Sequence, residues 1–171
     1  QAQEWNESYA AFRHALVIEP DHPFSNRGIG GPLVALGRIA DAIRASERNI
    51  ELDPLSPPGY VVITTHLLAA NEPGKALRAA QRAFELDSMS GNTRLGLALA
   101  LSFNGQPVEA HRLALTSRPT PQSAGWKGFV LGITGDSAAA LAYLRTIDTE
   151  QRHSSVLHAT RERSLGRLGG L

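Results

Sequence analysis

The four residues Gly28-Ile29-Gly30-Gly31 are the first stretch of this 171-residue chain whose composition could do chemistry. Glycine-rich loops hold phosphates because their backbone N–H groups can approach an anion closely, but they do so between a strand and a helix N-terminus. No strand pattern precedes this stretch and no Lys-Ser or Lys-Thr pair follows it, so it reads as a kinked helix and not as a nucleotide site. Metal chemistry is equally poorly supplied. The histidines are His14, His22, His66, His111, His153 and His158; no two stand four apart as a helical metal pair requires, and there is no HExxH. There is no cysteine, which removes thiol catalysis, disulfides and cysteine-based zinc sites. No nucleophile–base pair, metal set or cofactor loop is apparent, and the expectation is a protein without catalytic residues, metal or cofactor.

Charge points the same way. The net charge is +1, which argues against a dedicated nucleic-acid or polybasic membrane binder. Arg152, Arg161, Arg163 and Arg167 make the last segment basic against Glu162 alone, but no aromatic residues alternate with them, and such a run reads as a solvated face. Asn6-Glu7-Ser8 fits a glycosylation sequon, but it falls inside a helical pattern and is treated as chance. Arginine outnumbers lysine 15 to 2, a usage associated with GC-rich bacterial genomes. The longest apolar runs, Val61–Ala70 and Leu95–Leu101, fall short of the roughly 18–20 residues of a membrane span, so no membrane partner is expected. The compartment stays open, with the cytoplasm slightly favoured. The chain begins at Gln1 instead of Met, and the expectation is a processed product or a fragment of a longer protein.

Apolar residues make up 42%, enough for a continuous core. What organises them is a fixed beat. Gly74–Ser88 repeats the pattern of Ile39–Pro54 at an offset of 34, matching Ala42 to Ala76 and Leu52-Asp53 to Leu86-Asp87. The same offset relates Ile29, Ile63 and Leu97, then Leu33, Leu67 and Leu101, and then Gly37, Asn71 and Gly105. A period in the 20–50 range means stacked supersecondary units, each too small to bury its own apolar face. Helical spacing within a unit predicts helices near 4–19, 24–36, 39–52, 60–70, 74–87, 92–103, 107–117, 125–134 and 136–147, with a last one near 151–168.

Three segments strain this reading. Gly28, Gly30, Gly31 and Pro32 fall inside the second helix, where each interior glycine costs about 1 kcal/mol and a proline about 3, so a kink or broken first turn is predicted near Pro32. Val61-Val62-Ile63-Thr64-Thr65 is strand-like by propensity, but the repeat phase requires a helix. Beyond Ala110 the offset shrinks to 30, with Gly105 recurring as Gly135 and Ala110 as Ala140. A deletion of one helical turn is therefore predicted at Arg118–Pro121, with a correspondingly shorter helix after Pro107.

These residues resemble the tetratricopeptide repeat (TPR) family. The family motif puts a small residue in the first helix of each pair with a large apolar one three positions on, then a small residue and an aromatic in the second helix, then a proline. Here the first pair is Gly30/Leu33, Thr64/Leu67, Ala98/Leu101 and Gly128/Leu131. The second-helix small residue is Ser8, Ala42, Ala76, Ala110 or Ala140; the aromatic survives as Phe12 and the closing proline as Pro20 and Pro54. The resemblance implies an all-α, right-handed superhelix, a solenoid of about five helix pairs. It comprises a half repeat at 1–22, repeats near 23–56, 57–90, 91–120 and 121–150, and a terminal helix.

The resemblance also implies a concave groove lined by the first helix of each pair. Carried over by phase, the groove residues are Phe24, Arg27, Gly31 and Val34, then Pro58, Val61, Thr65 and Leu68, then Asn92, Leu95, Leu99 and Ser102, and finally Phe129. This face is mostly apolar and suits a peptide or a partner helix. The carboxylate-clamp subclass, which needs several converging donors, is excluded because only Arg27 and Asn92 remain of its basic and amide residues. The expected function is a protein–protein interaction scaffold. The alternative is a regulatory or substrate-recruiting segment of a larger bacterial enzyme or of a signalling or transcription regulator. The end helices, lacking neighbours, could also mediate self-association.

Overall fold

The structure is a computed structural model that describes residues 2–118, 120 and 123–147. Among these, all regular structure is helical: α1 (Ala2–Ile18), α2 (Pro23–Gly28), α3 (Gly30–Ala35), α4 (Ile39–Leu52), α5 (Pro57–Ala69), α6 (Pro73–Leu86), α7 (Gly91–Phe103), α8 (Pro107–Thr116) and α9 (Ala124–Ile133), followed by a helical stretch at 137–147. The helix expected at 151–168, with its basic face and with His153 and His158, lies outside the described residues.

Each helix packs on its sequence neighbour, as in a run of antiparallel hairpins. The second-neighbour contacts are one-sided. α3 touches α5, α5 touches α7 and α7 touches α9, whereas α4, α6 and α8 make no comparable contacts with one another. The first helices of the pairs therefore form the crowded inner layer of a curved stack and the second helices the splayed outer layer, an all-α superhelix.

Small residues explain the close approach. Ala42, Ala76, Ala98 and Ala110 have no exposed surface, and Leu33, Leu67, Leu101 and Leu131 are buried beside them. These leucines also close their helices. The N–H groups of Arg38, Glu72, Gln106 and Asp136 donate to the carbonyls of Leu33, Leu67, Leu101 and Leu131 at 2.8–3.0 Å. This six-to-one bond requires a left-handed residue just before the donor. Gly37, Asn71, Gly105 and Gly135 supply it, with φ of 75°, 57°, 70° and 95°. The 34, 34, 30 spacing seen in the sequence is thus the spacing of one recurring helix stop.

The glycine–proline helix breaks at Ile29, three residues before Pro32. A proline has no N–H to give the carbonyl four residues back, here Gly28, and its ring crowds that carbonyl. Pro32 then sits in the first turn of α3, where its missing donor costs nothing. α5 is helical throughout its β-branched run: Thr64 and Thr65 turn their hydroxyls back to the carbonyls of Tyr60 and Val62, both at 2.7 Å, so neither leaves an unpaired donor. α8 has 10 residues against 14 in α4 and α6. The Leu-Asp ending of α4 and α6 is missing there. Instead Lys127 of α9 reaches back to the carbonyls of Leu115 and Ser117 at 3.1 and 2.9 Å, a cation at a helix C-terminus.

Candidate functional site on the inner face

The first turns of α5, α7 and α9 meet on the inner layer. α5 starts with Pro57 and Pro58 at N1 and N2, so little free N–H is left there. α7 is preceded by a tightly bonded loop. One carboxylate oxygen of Asp87 accepts the N–H groups of Met89 and Ser90 at 3.1 and 3.0 Å, and Ser90 Oγ accepts from Asn92 N at 3.2 Å. Thr93 Oγ1 donates to the carbonyls of Asp87 and Ser90. The α9 end is tied to the same point, because Asn92 Oδ1 accepts from Ser123 Oγ at 2.6 Å and from Thr120 Oγ1 at 2.9 Å.

Between these ends lies an open cavity of ≈ 630 Å³, in the size range of small-molecule and peptide side-chain pockets. Its apolar wall is Pro57, Pro58, Val61 and Val62 of α5 and Trp126 of α9; Arg27 of α2 faces it, and Asp87, Ser90, Asn92, Thr93 and Ser123 complete the rim. Of the residues expected from the sequence, it brings together Arg27, Pro58, Val61 and Asn92. Trp126 and Val62 were not in that set. A signal was available: Trp126 falls at the phase of Gly96 and Val62, one row beside the chosen positions.

The other expected residues are dispersed along the layer. Phe24 is exposed, tilted against Phe12 at a centroid distance of 6.0 Å, with the Arg27 guanidinium 5.9 Å from its ring. Val34 packs against the cluster of Ile29, Leu33 and Ala42. Leu68 is half-buried between two core clusters, and the hydroxyls of Thr65 and Ser102 bond within their own helices. At the far end Phe129 stacks on Phe103 with centroids 6.3 Å apart and an interplanar angle of 18°; the two are 48% and 51% exposed, an aromatic surface on α7 and α9. Two positions need correction. Leu95 is 0% exposed and Leu99 8%, both sealed among Ala80, Ala98, Leu113 and Val130. Curvature presses neighbouring first helices together, so a position that would line an open groove becomes core.

His66 and His111 are held by neighbouring side chains. His66 is buried, with Nδ1 2.8 Å from Ser46 Oγ, which itself donates to the Ala42 carbonyl at 3.0 Å. Burial lowers its pKa, partly opposed by the Ala42 carbonyl. Its ring fills the space over Gly30, where an added Cβ would stand 2.2 Å from Cε1. His111 Nδ1 lies 3.0 Å from Thr134 Oγ1 and Nε2 lies 3.6 Å from Asp136. The threonine proton is given to the Val130 carbonyl at 2.8 Å, so this Thr–His–Asp group does not present an activated nucleophile. Among the described residues no group of three or more His, Asp or Glu could hold a metal ion, and no helix is long and apolar enough to cross a membrane.

No family model matches the chain, and no curated protein is similar to it in sequence. Solved structures are similar in fold. A thermophilic TPR protein of Thermus thermophilus, TTC0263, superposes with a TM-score of 0.72 at 18% identity, covering 90% of each chain. YrrB, described as a TPR protein with an unusual peptide-binding site, gives 0.53 at 21% identity over 93% of this chain and 84% of its own. The O-GlcNAc transferase of Thermobaculum terrenum gives 0.60 at 23% identity, over 67% of this chain and 22% of its own. The chain has the TPR fold.

Proposed function

We propose that the chain is a non-catalytic scaffold whose inner face receives a peptide or partner helix, in preference to nucleic acid or membrane. The observation that carries this is the cavity walled by Pro58, Val61, Val62 and Trp126, continued along the inner layer by the Phe103–Phe129 stack. Apolar surface rimmed by polar groups on a rigid helical layer is what peptide recognition uses. The peptide-binding site named for YrrB, on the same fold, supports the reading. It is tested by pull-down with wild type and with Pro58→Asp, Trp126→Ser and Phe129→Asp, each checked by circular dichroism. Loss of partner recovery with helicity intact is expected; unchanged recovery by all three refutes the inner-face assignment.

A second reading, a recruiting segment within a longer enzyme, draws on the transferase, where the similar fold forms 22% of that chain. It is decided by the parent reading frame: a Met just before Gln1 and a stop after Leu171 would refute it.

A further inference from the structure

We infer that His111 and Asp136 form a two-ligand site for a divalent transition ion such as Zn²⁺, away from the inner face. The ion would tie α8 to the helical stretch at 137–147. This stands independently of the peptide-binding reading. The argument starts from where each proton sits. The Thr134 hydroxyl donates to the carbonyls of Val130 at 2.8 Å and Leu131 at 3.2 Å, so its one proton is committed. His111 Nδ1, 3.0 Å from the same hydroxyl, must then be the donor. In the neutral ring Nε2 carries the lone pair. Asp136 is fixed from its other side, because Oδ1 accepts the Ala139 N–H at 2.9 Å. Its Oδ2 is turned toward His111 Nε2 at 3.6 Å.

Two electron-pair donors thus face each other beside an open cavity of ≈ 440 Å³, whose remaining lining is Pro107, Val108, Thr134 and Gly135. The width of the gap decides what fits between them. A hydrogen bond spans about 2.7–3.2 Å, so a proton on Nε2 would not bridge it. Zinc bonds of about 2.0–2.2 Å hold two ligand atoms about 3.3–3.5 Å apart at the tetrahedral angle, and slightly further at a wider one. One imidazole and one carboxylate suit a borderline transition ion better than Mg²⁺ or Ca²⁺. The Thr134 bond to Nδ1 is the outer-shell support that orients a ligating histidine. Solvent in the cavity supplies the remaining ligands.

The fold does not require this pair. At the same phase the preceding junctions hold Leu77 with Gln106 and Ile43 with Glu72. Leu77 and Ile43 pack against the core clusters, and Glu72 is paired with Lys75. A histidine replaces the packed aliphatic residue only where a carboxylate stands opposite. α8 and the stretch at 137–147 are consecutive second helices, in the layer where α4, α6 and α8 splay apart, so the ion would act as a strut there.

The test is calorimetric titration of the untagged, chelator-stripped full chain with Zn²⁺ alone, beside long-range ¹H–¹⁵N spectra of the histidine rings at pH 7.5. Wild type should take up one more Zn²⁺ than His111→Leu, which restores the residue of the preceding repeat and measures the background from the other histidines. Thr134→Val should weaken that site about 10–100-fold, and Asp136→Asn, which keeps the helix cap, by at least as much. Without metal His111 should carry its proton on Nδ1, and Zn²⁺ should shift its Nε2 resonance. Equal stoichiometry and affinity in wild type and His111→Leu would mean an adventitious ion only and overturn the inference. A metal-free His111 already protonated on Nε2 would overturn it as well.

Discussion

Two adjacent glycines in the first turn of α3 should respond very differently to the same substitution. Gly31→Ala meets nothing within 4 Å outside its chain neighbours; the intrinsic preference of a helix for alanine, about 0.5–1 kcal/mol, is opposed by the crowding of Pro32 on the methyl of the residue before it, so a small net change is expected. Gly30→Ala gains the same term but drives a methyl to 2.2 Å from His66 Cε1, far inside van der Waals contact. The ring cannot simply swing away. It is buried, and Ser46 holds Nδ1 at 2.8 Å. Displacing it costs roughly 1–3 kcal/mol of overpacking and threatens a buried hydrogen bond worth a further ~1 kcal/mol. A net destabilisation of about 2 kcal/mol is expected, or about 4–8 °C in Tm for a chain of this size. Urea and thermal unfolding of both variants measure it. The double variant Gly30→Ala/His66→Ala supplies the control, because without the ring the penalty should vanish. Gly30→Ala as stable as Gly31→Ala, or a penalty that survives removal of the ring, would refute the reasoning.

Stability should also fall on the acid side because of His66. Burial disfavours its charged form, so the folded chain binds that proton at lower pH than the unfolded chain does. Between the two values the unfolded state holds more protons. The contribution is therefore complete above about pH 6.5 and is lost as pH falls through the lowered folded value. Unfolding free energy against pH for wild type and His66→Gln measures it; equal acid-side slopes would count against it. Lys127→Met should leave the shortened end of α8 without its cation, at a cost of about 1 kcal/mol. Faster hydrogen exchange localised to residues 113–117 reports it, and an unchanged profile would contradict the capping role.

The repeat, the helix pairs and the stops between them were legible in the sequence because they depend on local chemistry. A leucine four residues before a glycine or asparagine that can turn left-handed closes a helix wherever it occurs, and four such stops at 37, 71, 105 and 135 set the beat. The shortening of α8 was legible for the same reason, since a missing turn changes the count. What only the tertiary structure decided was how far the superhelix curves, and hence which inner positions face outward. That curvature buried Leu95 and Leu99, which helical phase alone placed in the groove, and brought Trp126 to the cavity wall beside Val62. It also set Arg27 beside a cavity with no hydrogen-bond partner among the described residues, whereas the sequence could count its charge but not the donors and acceptors within reach. Phase fixes a direction around one helix; exposure depends on the distance to the next, which the packing of small residues between repeats sets.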